Sequence, residues 1–341
     1  SWTGRTDPRY SNHNSYIKNY WGVAFGNNIF VAVGHYSKII RSNSSGSSWN
    51  LISNSRCNGY HSCYSYSNTL RGVAFGNSTF VAVGNSGFIS VKQNLPHIIK
   101  DKAIDFVIAN GENAAKEGVG ITENIVNELL SCGVDVITTG NHVWDQKETF
   151  EFIKKQKRLL RPLNLSNDAP GNGFGVYDTI GGYKVGVLNL MGNVFMRKCD
   201  DVFIEIEKFL KNYNLKKNYD FLIVDIHGEI TSEKMAIGHL FDGKATLITG
   251  THTHVPTNDA RILKKGSAYI TDSGMCGDYD SVIGMNKNNS INKFFKKKAE
   301  KHFPALGEGT LSGVIVDCCT ETGLAKNINS FVMGGVLKNT I

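Results

Sequence analysis

The sequence predicts an α/β protein preceded by a short all-β segment. From about Val91, apolar β-branched runs alternate with stretches at helical spacing, the pattern of a sheet covered by helices. Four of those runs stop at side chains that bind metals. Ahead of them, a strand-rich segment repeats itself fifty positions apart.

The repeat pairs Trp21–Gly34 with Arg71–Gly84, each reading Gly-Val-Ala-Phe-Gly-Asn before Phe-Val-Ala-Val-Gly. After the first copy, Ile39–Ser42 reads as a third strand, and Ser44–Ser48 as a turn into a fourth. A period near fifty with several short strands and Gly/aromatic punctuation is a β-propeller signature. Fewer than two units cannot close a ring of about four to eight blades, so this is a remnant or a piece of something longer.

In the second part, Val91–Lys100 reads as a helix and Phe106–Ala109 as a strand. Ile121–Leu130 is apolar at helical spacing and leads to the strand Val134–Ile137. Lys147–Arg158 reads as a charged amphipathic helix, Tyr183–Leu190 as a strand and Val202–Tyr213 as a helix. Phe221–Val224 and Ala245–Ile248 complete the strands.

The bulk numbers are those of a globular protein: 341 residues, 41% apolar and 20% charged. No run approaches the roughly 18 apolar residues of a membrane helix. A start at Ser1 without Met fits a fragment or a processed product. Residues 1–90 hold seven basic residues against Asp7 alone, whereas the remainder is nearly balanced, so the net +7 says little about the second part's partners. Lys293–Lys298 is either an anion or RNA patch or, the reading we prefer, a solvated helix face. The seven cysteines form no Cys-x-x-Cys pair, which points to reduced thiols and a cytosolic protein; Cys57 and Cys63 could pair in an exported chain.

The ligand-type residues follow strands. They are Glu112-Asn113, Asn141-His142, His227, and His252-Thr253-His254. A strand that ends in a ligand places it at the carboxyl edge of a sheet, where open α/β folds build their sites. One carboxylate, two Asn and several His suit Mn, Fe or Zn better than Ca or Mg. His252 and His254 alternate and are expected to leave one face of a strand end. Singly, His227 or His254 could be a core histidine and Asn141 a turn cap. His97, His239, His13, His35 and His61 read as structural or surface residues, and Glu229 and Glu233 as solvated or helix-start acids.

Asp105–Ala114, Gly140–Asp145, Thr231–Lys234, Gly250–Val255, Ile270–Met275 and Asp280–Met285 together resemble the YmdB-like branch of the calcineurin-like metallophosphoesterases, over about residues 91–333. Residues 1–84 resemble sialidase-like (Asp-box-type) propeller repeats, without the Asp of that box. The resemblance implies a metallophosphoesterase-type four-layer αββα sandwich, with a propeller-like segment over 1–79 and the enzyme domain over 80–341. It implies two divalent metal ions (Fe or Mn, with Zn as an alternative). Glu112 would bridge them, with Asn141, His227 and His252 on one and Asn113 and His254 on the other. His142 would be the proton donor, with Asp145 orienting its ring or capping a helix. The implied reaction is phosphodiester hydrolysis, on 2′,3′-cyclic nucleotides, by a cytoplasmic protein that could form a homo-oligomer. A catalytically inactive nucleotide- or RNA-binding scaffold is the alternative, and a binding role for the front repeats is a third.

The family's opening Gly-Asp-x-Val-Gly, whose Asp is a ligand, is absent. Phe80–Gly87 stands there instead, so Phe80–Val83 is expected to replace the first sheet strand and Asn85 to fall near the missing Asp. Glu112 would then be the only carboxylate in the metal shell, and activity would be reduced.

Overall fold

The computed structural model describes residues 87–340, except Asn167, together with the backbone of six earlier strands. Contacts divide the chain into two units, Ser1–Asn85 and Ser86–Ile341.

In the first unit, β1 (Tyr20–Gly26), β2 (Ile29–Gly34), β3 (Lys38–Ser42) and β4 (Trp49–Ile52) form an antiparallel sheet in chain order. The second repeat gives a hairpin of β5 (Leu70–Gly76) and β6 (Thr79–Gly84). The two copies pair alike: Phe25 faces Phe30, and Phe75 faces Phe80. This corrects the expectation for Phe80–Val83. The stretch takes the repeat's own hairpin partner, because a neighbour two residues away in the chain pairs at the lowest loop-closure cost. Asn85, Cys57, Cys63, His13, His35 and His61 lie outside the described residues.

The second unit opens with α1 (Gly87–Asp101), whose Val91, Leu95 and Ile98 recur at helical spacing and are buried. A parallel three-stranded sheet follows in the order β7 (Ile108–Asn110), β8 (Val136–Thr138), β9 (Leu159–Leu160). Between its first two strands runs α2 (Glu123–Ser131), capped by the Thr122 hydroxyl on the Ile125 N–H. The helix expected over Lys147–Arg158 shrinks to α3 (Thr149–Phe152). Thr149 is tied to the Ile121 carbonyl, Phe152 and Ile153 are buried, and the chain must then turn to place Leu159 and Leu160 beside β8.

The larger sheet has six strands. They are β10 (Phe174–Asp178), β11 (Lys184–Met191), β12 (Phe221–His227), β13 (Leu247–Thr251), β14 (Arg261–Ile262) and β15 (Ala268–Ile270), in the order β10-β11-β12-β13-β15-β14. The central pairs are parallel and the two edges antiparallel. Leu188, Leu190, Leu222, Val224 and Ile226 pack beneath α4 (Val202–Asn212) and α5 (Thr231–Phe241). Val185 and Val187 pack instead against Val136 and Leu160 of the small sheet. Burial on both faces explains why these strands read as unbroken apolar runs. The last elements are α6 (Lys287–Phe294) and a ribbon of β16 (Leu311–Cys318) and β17 (Ala325–Met333), whose Leu311 and Phe331 join the core beneath α1. Lys293 and Phe294 close α6 and Lys296–Lys298 follow its end; Phe294–Lys298 are exposed, so the stretch is solvated as expected, but only its first residues are helical.

Candidate metal centre

The ligand-type residues come from the carboxyl ends of β7, β8, β12 and β13. Glu112 follows β7, Asn141 and His142 follow β8, His227 closes β12, and His252 follows β13. Four of them meet at one atom. His227 Nε2 lies 2.8 Å from Glu112 Oε2, 2.9 Å from Asn141 Oδ1 and 3.0 Å from His252 Nδ1. Among the described residues, Glu112, His227 and His252 form a group of histidine and carboxylate side chains able to hold a cation.

Asn113 and His254 make a separate pair, with Asn113 Nδ2 3.2 Å from His254 Nε2. His254 Nδ1 faces the Ile283 carbonyl at 2.8 Å. The same-face expectation for His252 and His254 therefore fails: β13 ends at Thr251, and both histidines adopt positive φ, 98° and 66°. In that left-handed backbone the two-residue alternation of a strand no longer applies. One histidine turns toward His227 and the other toward Asn113. Such strained non-glycine residues cluster at functional sites.

The residues present fit a bound cation. Asn113 Oδ1 is buried with no hydrogen-bond partner, a costly state for an oxygen that lacks a ligand. Burial raises the Glu112 pKa, but His227 and the His142 backbone N–H, which donates to Oε1 at 2.8 Å, more than reverse this and bring it to about 2. Glu112 is therefore an anion at neutral pH. Burial and then the neighbouring His227 hold His252 down to about 4, so its ring is neutral and can offer a lone pair.

His142 sits at the rim of this group, 29% exposed. Its Nδ1 lies 2.7 Å from Asp145 Oδ2, and Arg197 grips Asp145 Oδ1 at 3.0 Å. Burial pushes the Asp145 carboxyl up, but His142 and Arg197 outweigh it and hold Asp145 below the usual carboxylate range. Of the two uses weighed for Asp145, orienting the ring is the one formed, since the cap position of α3 is Glu148.

Several supporting residues escaped the sequence reading. Asp225 is buried in β12 and accepts from Thr138 (2.5 Å), Asn110 (3.1 Å) and Thr251 (2.8 Å). Burial pushes its carboxyl above the ordinary range, against those three hydrogen bonds. Lys234 and Asp272 form a fully buried ion pair 2.9 Å apart; Lys234 also donates to the Thr251 carbonyl, and Asp272 accepts from Thr253. This pair grips the loop that carries His252 and His254. Glu229 is exposed, as expected, yet its carboxylate lies 3.2 Å from His252 Nε2. Glu233 stands in the first turn of α5, as expected, but is buried there and accepts from the Asn193 N–H. His97 and His239 are exposed, as expected. An acid inside an apolar run, as in Val224-Asp225-Ile226, was the one signal available for Asp225.

The family profile described as YmdB-like protein matches residues 81–331. The chain belongs to the YmdB-like family. It is 41% identical, over 71% of its length and 90% of the relative, to the 2′,3′-cyclic-nucleotide 2′-phosphodiesterase of Bacillus subtilis (strain 168). It is also similar to two crystal structures. A novel phosphatase from Mycoplasma pneumoniae is 34% identical with a TM-score of 0.67, covering 74% of this chain and 95% of that one. A hypothetical protein from Thermus thermophilus is 36% identical with a TM-score of 0.66, covering 73% and 94%. Like its named relatives, this YmdB-like chain is an enzyme of the phosphoesterase class.

Proposed function

We propose that this YmdB-like chain is a metal-dependent phosphodiesterase that hydrolyses 2′,3′-cyclic nucleotides. The observation that carries this reading is the convergence of Glu112, Asn141 and His252 on His227 Nε2, with His142 anchored through its backbone to Glu112. The activity named for the Bacillus subtilis relative supplies the substrate class. In this reading the second unit is a four-layer αββα sandwich, the front unit is an incomplete set of propeller repeats, and the enzyme works in the cytoplasm.

Glu112, Asn141, His227 and His252 would hold one divalent cation, and Asn113 and His254 would contribute to a second, of Mn, Fe or Zn type. Bound there, the cations supply Lewis-acid stabilisation of the phosphoryl oxygens. The chain's own residues do the rest. Asp145 occupies His142 Nδ1, which leaves Nε2 as the nitrogen that would donate a proton to the ester oxygen that leaves. Arg197 keeps Asp145 in place, so the ring is held before substrate arrives.

The absent Gly-Asp-x-Val-Gly opening would leave Glu112, among the described residues, as the only carboxylate in this shell, so the second cation would be held weakly. The same departure favours the second reading, an inactive nucleotide-binding scaffold. The separating experiment is hydrolysis of bis-p-nitrophenyl phosphate by chelator-stripped protein, before and after Mn²⁺, Fe²⁺ or Zn²⁺ is returned. Turnover restored by metal supports the phosphodiesterase. Folded, metal-loaded protein without turnover supports the scaffold.

A further inference from the structure

Residues 286–303 form an arm with a closed base. The Asn286 N–H donates to the Phe303 carbonyl at 3.0 Å, and the Ala305 N–H to the Gly284 carbonyl at 2.7 Å. Met285 and Pro304 bridge the two strands of chain between them. This base stands at the metal centre. The Ile283 carbonyl lies 2.8 Å from His254 Nδ1. Pro304 comes so close to Gly118, in the loop that follows Glu112, that a Cβ there would collide with it.

The arm carries α6, which at eight residues is about 12 Å long. Its Asn289 and Ser290 are buried. Ile291, Phe294 and Phe295 recur at the spacing of neighbours on a helix face, yet they are 45%, 82% and 68% exposed. The helix then ends in a left-handed cap. Lys297 N–H donates to the Asn292 carbonyl and Lys296 N–H to the Lys293 carbonyl, with Lys296 at φ 53°, where glycine is the unstrained choice. Beyond the cap Lys296, Lys297 and Lys298 are exposed, and Lys297 Nζ lies 5.0 Å from the centre of the Phe295 ring. Residues 287–302 hold six lysines and His302 against Glu300 as the sole acid. Solvation accounts for the lysines but not for two adjacent exposed phenylalanines, since clustered surface apolar groups mark interaction sites.

We propose that this arm binds single-stranded RNA and brings the strand's 2′,3′-cyclic phosphate end to the metal centre. Lysines neutralise the phosphates, and phenylalanine faces stack bases whatever their sequence. A lipid surface offers anionic charge and apolar depth as well, but it has no end to place in a phosphodiester site. The position of the arm's base favours the strand. A cyclic phosphate is the end a strand keeps when its own 2′-hydroxyl has displaced the next nucleotide. Hydrolysis there is balanced: the water oxygen joins phosphorus, the P–O2′ bond breaks, O2′ takes a proton and a 3′-phosphate remains. Processing of that end rests on the phosphodiesterase reading above, whereas binding of the strand does not.

The test uses metal-loaded full-length protein and a 5′-fluorescein oligouridylate of about twelve nucleotides ending in a 3′-phosphate, followed by anisotropy. Phe294→Ala/Phe295→Ala should weaken binding about 5–100-fold, and Phe294→Trp/Phe295→Trp should retain it. Lys296→Ala/Lys297→Ala/Lys298→Ala should flatten the slope of log affinity against log salt by about 2. These side chains are exposed, so hydrolysis of 2′,3′-cyclic AMP should be unchanged in every variant. Hydrolysis of the oligonucleotide ending in a cyclic phosphate should fall in kcat/KM by the factor lost in binding. Wild-type protein that does not bind the strand, or alanine variants that bind it equally well, overturns the proposal. So does binding to equimolar phosphatidylserine–phosphatidylcholine vesicles without binding to RNA, which would assign the arm to a lipid surface. RNA binding without turnover of either substrate would refute the phosphodiesterase reading and leave the arm's role standing. Turnover of 2′,3′-cyclic AMP without RNA binding would do the reverse.

Discussion

Gly140 lies directly against the imidazole of His227, so closely that a Cβ at this position would overlap the ring. The turn after β8 and the end of β12 can meet only because residue 140 carries no side chain. This contact lets Asn141 Oδ1 reach His227 Nε2 at 2.9 Å. Gly140→Ala must move either the ring or the turn. We expect Zn²⁺ or Mn²⁺ affinity to fall at least about tenfold. Gly277→Ala, whose added Cβ would meet only ordinary contacts with Met275, should leave it unchanged. Metal content after dialysis of both variants checks this.

The His142–Asp145–Arg197 chain predicts graded losses. His142→Ala removes the proton donor and should lower kcat about 10²–10⁴-fold. Asp145→Asn leaves the ring present but poorly oriented, and should cost less. Arg197→Ala should cost least, because Arg197 reaches the ring only through Asp145. Steady-state kinetics on bis-p-nitrophenyl phosphate ranks the three, and an Arg197→Ala defect larger than that of His142→Ala would be incompatible with this order.

The buried Lys234–Asp272 pair is a stability device for the loop of His252 and His254. Lys234→Met leaves Asp272 buried and unpaired, which should cost about 3–5 kcal/mol. The double variant Lys234→Met/Asp272→Leu removes both charges and should recover part of that loss. Urea unfolding of the two variants measures the difference. Equal destabilisation would show that the ion pair is not what holds the loop.

Thiol reactivity should follow environment. Hydrogen bonds from Thr322 hold the Cys319 thiol below its ordinary value. Burial pushes Cys276 up, and burial with nearby acids takes Cys199 and Cys318 to about 11. The thiolate is the reactive form. At neutral pH, Cys319 should therefore be alkylated by iodoacetamide ahead of Cys199, Cys276 and Cys318, as followed by peptide mass spectrometry.

Much of the second unit was legible because its strands announce themselves twice, by an apolar run and by the ligand that ends it. Phe221–Val224 and Val134–Ile137 lie at the starts of β12 and β8 or just before them, and Val202–Tyr213 matches α4 to one residue. What escaped depends on contacts distant in the chain. Asp225 acquires its role only because Asn110, Thr138 and Thr251 arrive from three other strands. The positive φ of His252 and His254 leaves no mark in residue type, so a strand alternation was read where a turn forms. Over Lys147–Arg158, charge periodicity suggested a helix that the burial of Phe152 and Ile153 and the need to reach β9 cut to one turn. Phe80–Val83 was misplaced because an apolar stretch before a glycine looks the same in a hairpin as at a sheet's first strand.

The most direct test of the account is the hydrolysis of 2′,3′-cyclic AMP by the full-length protein with added Mn²⁺, beside His142→Ala. The account predicts metal-dependent turnover that collapses about 10²-fold or more in the variant while its metal content stays the same. Turnover that is insensitive to His142, or none in folded protein carrying its metal, would contradict it.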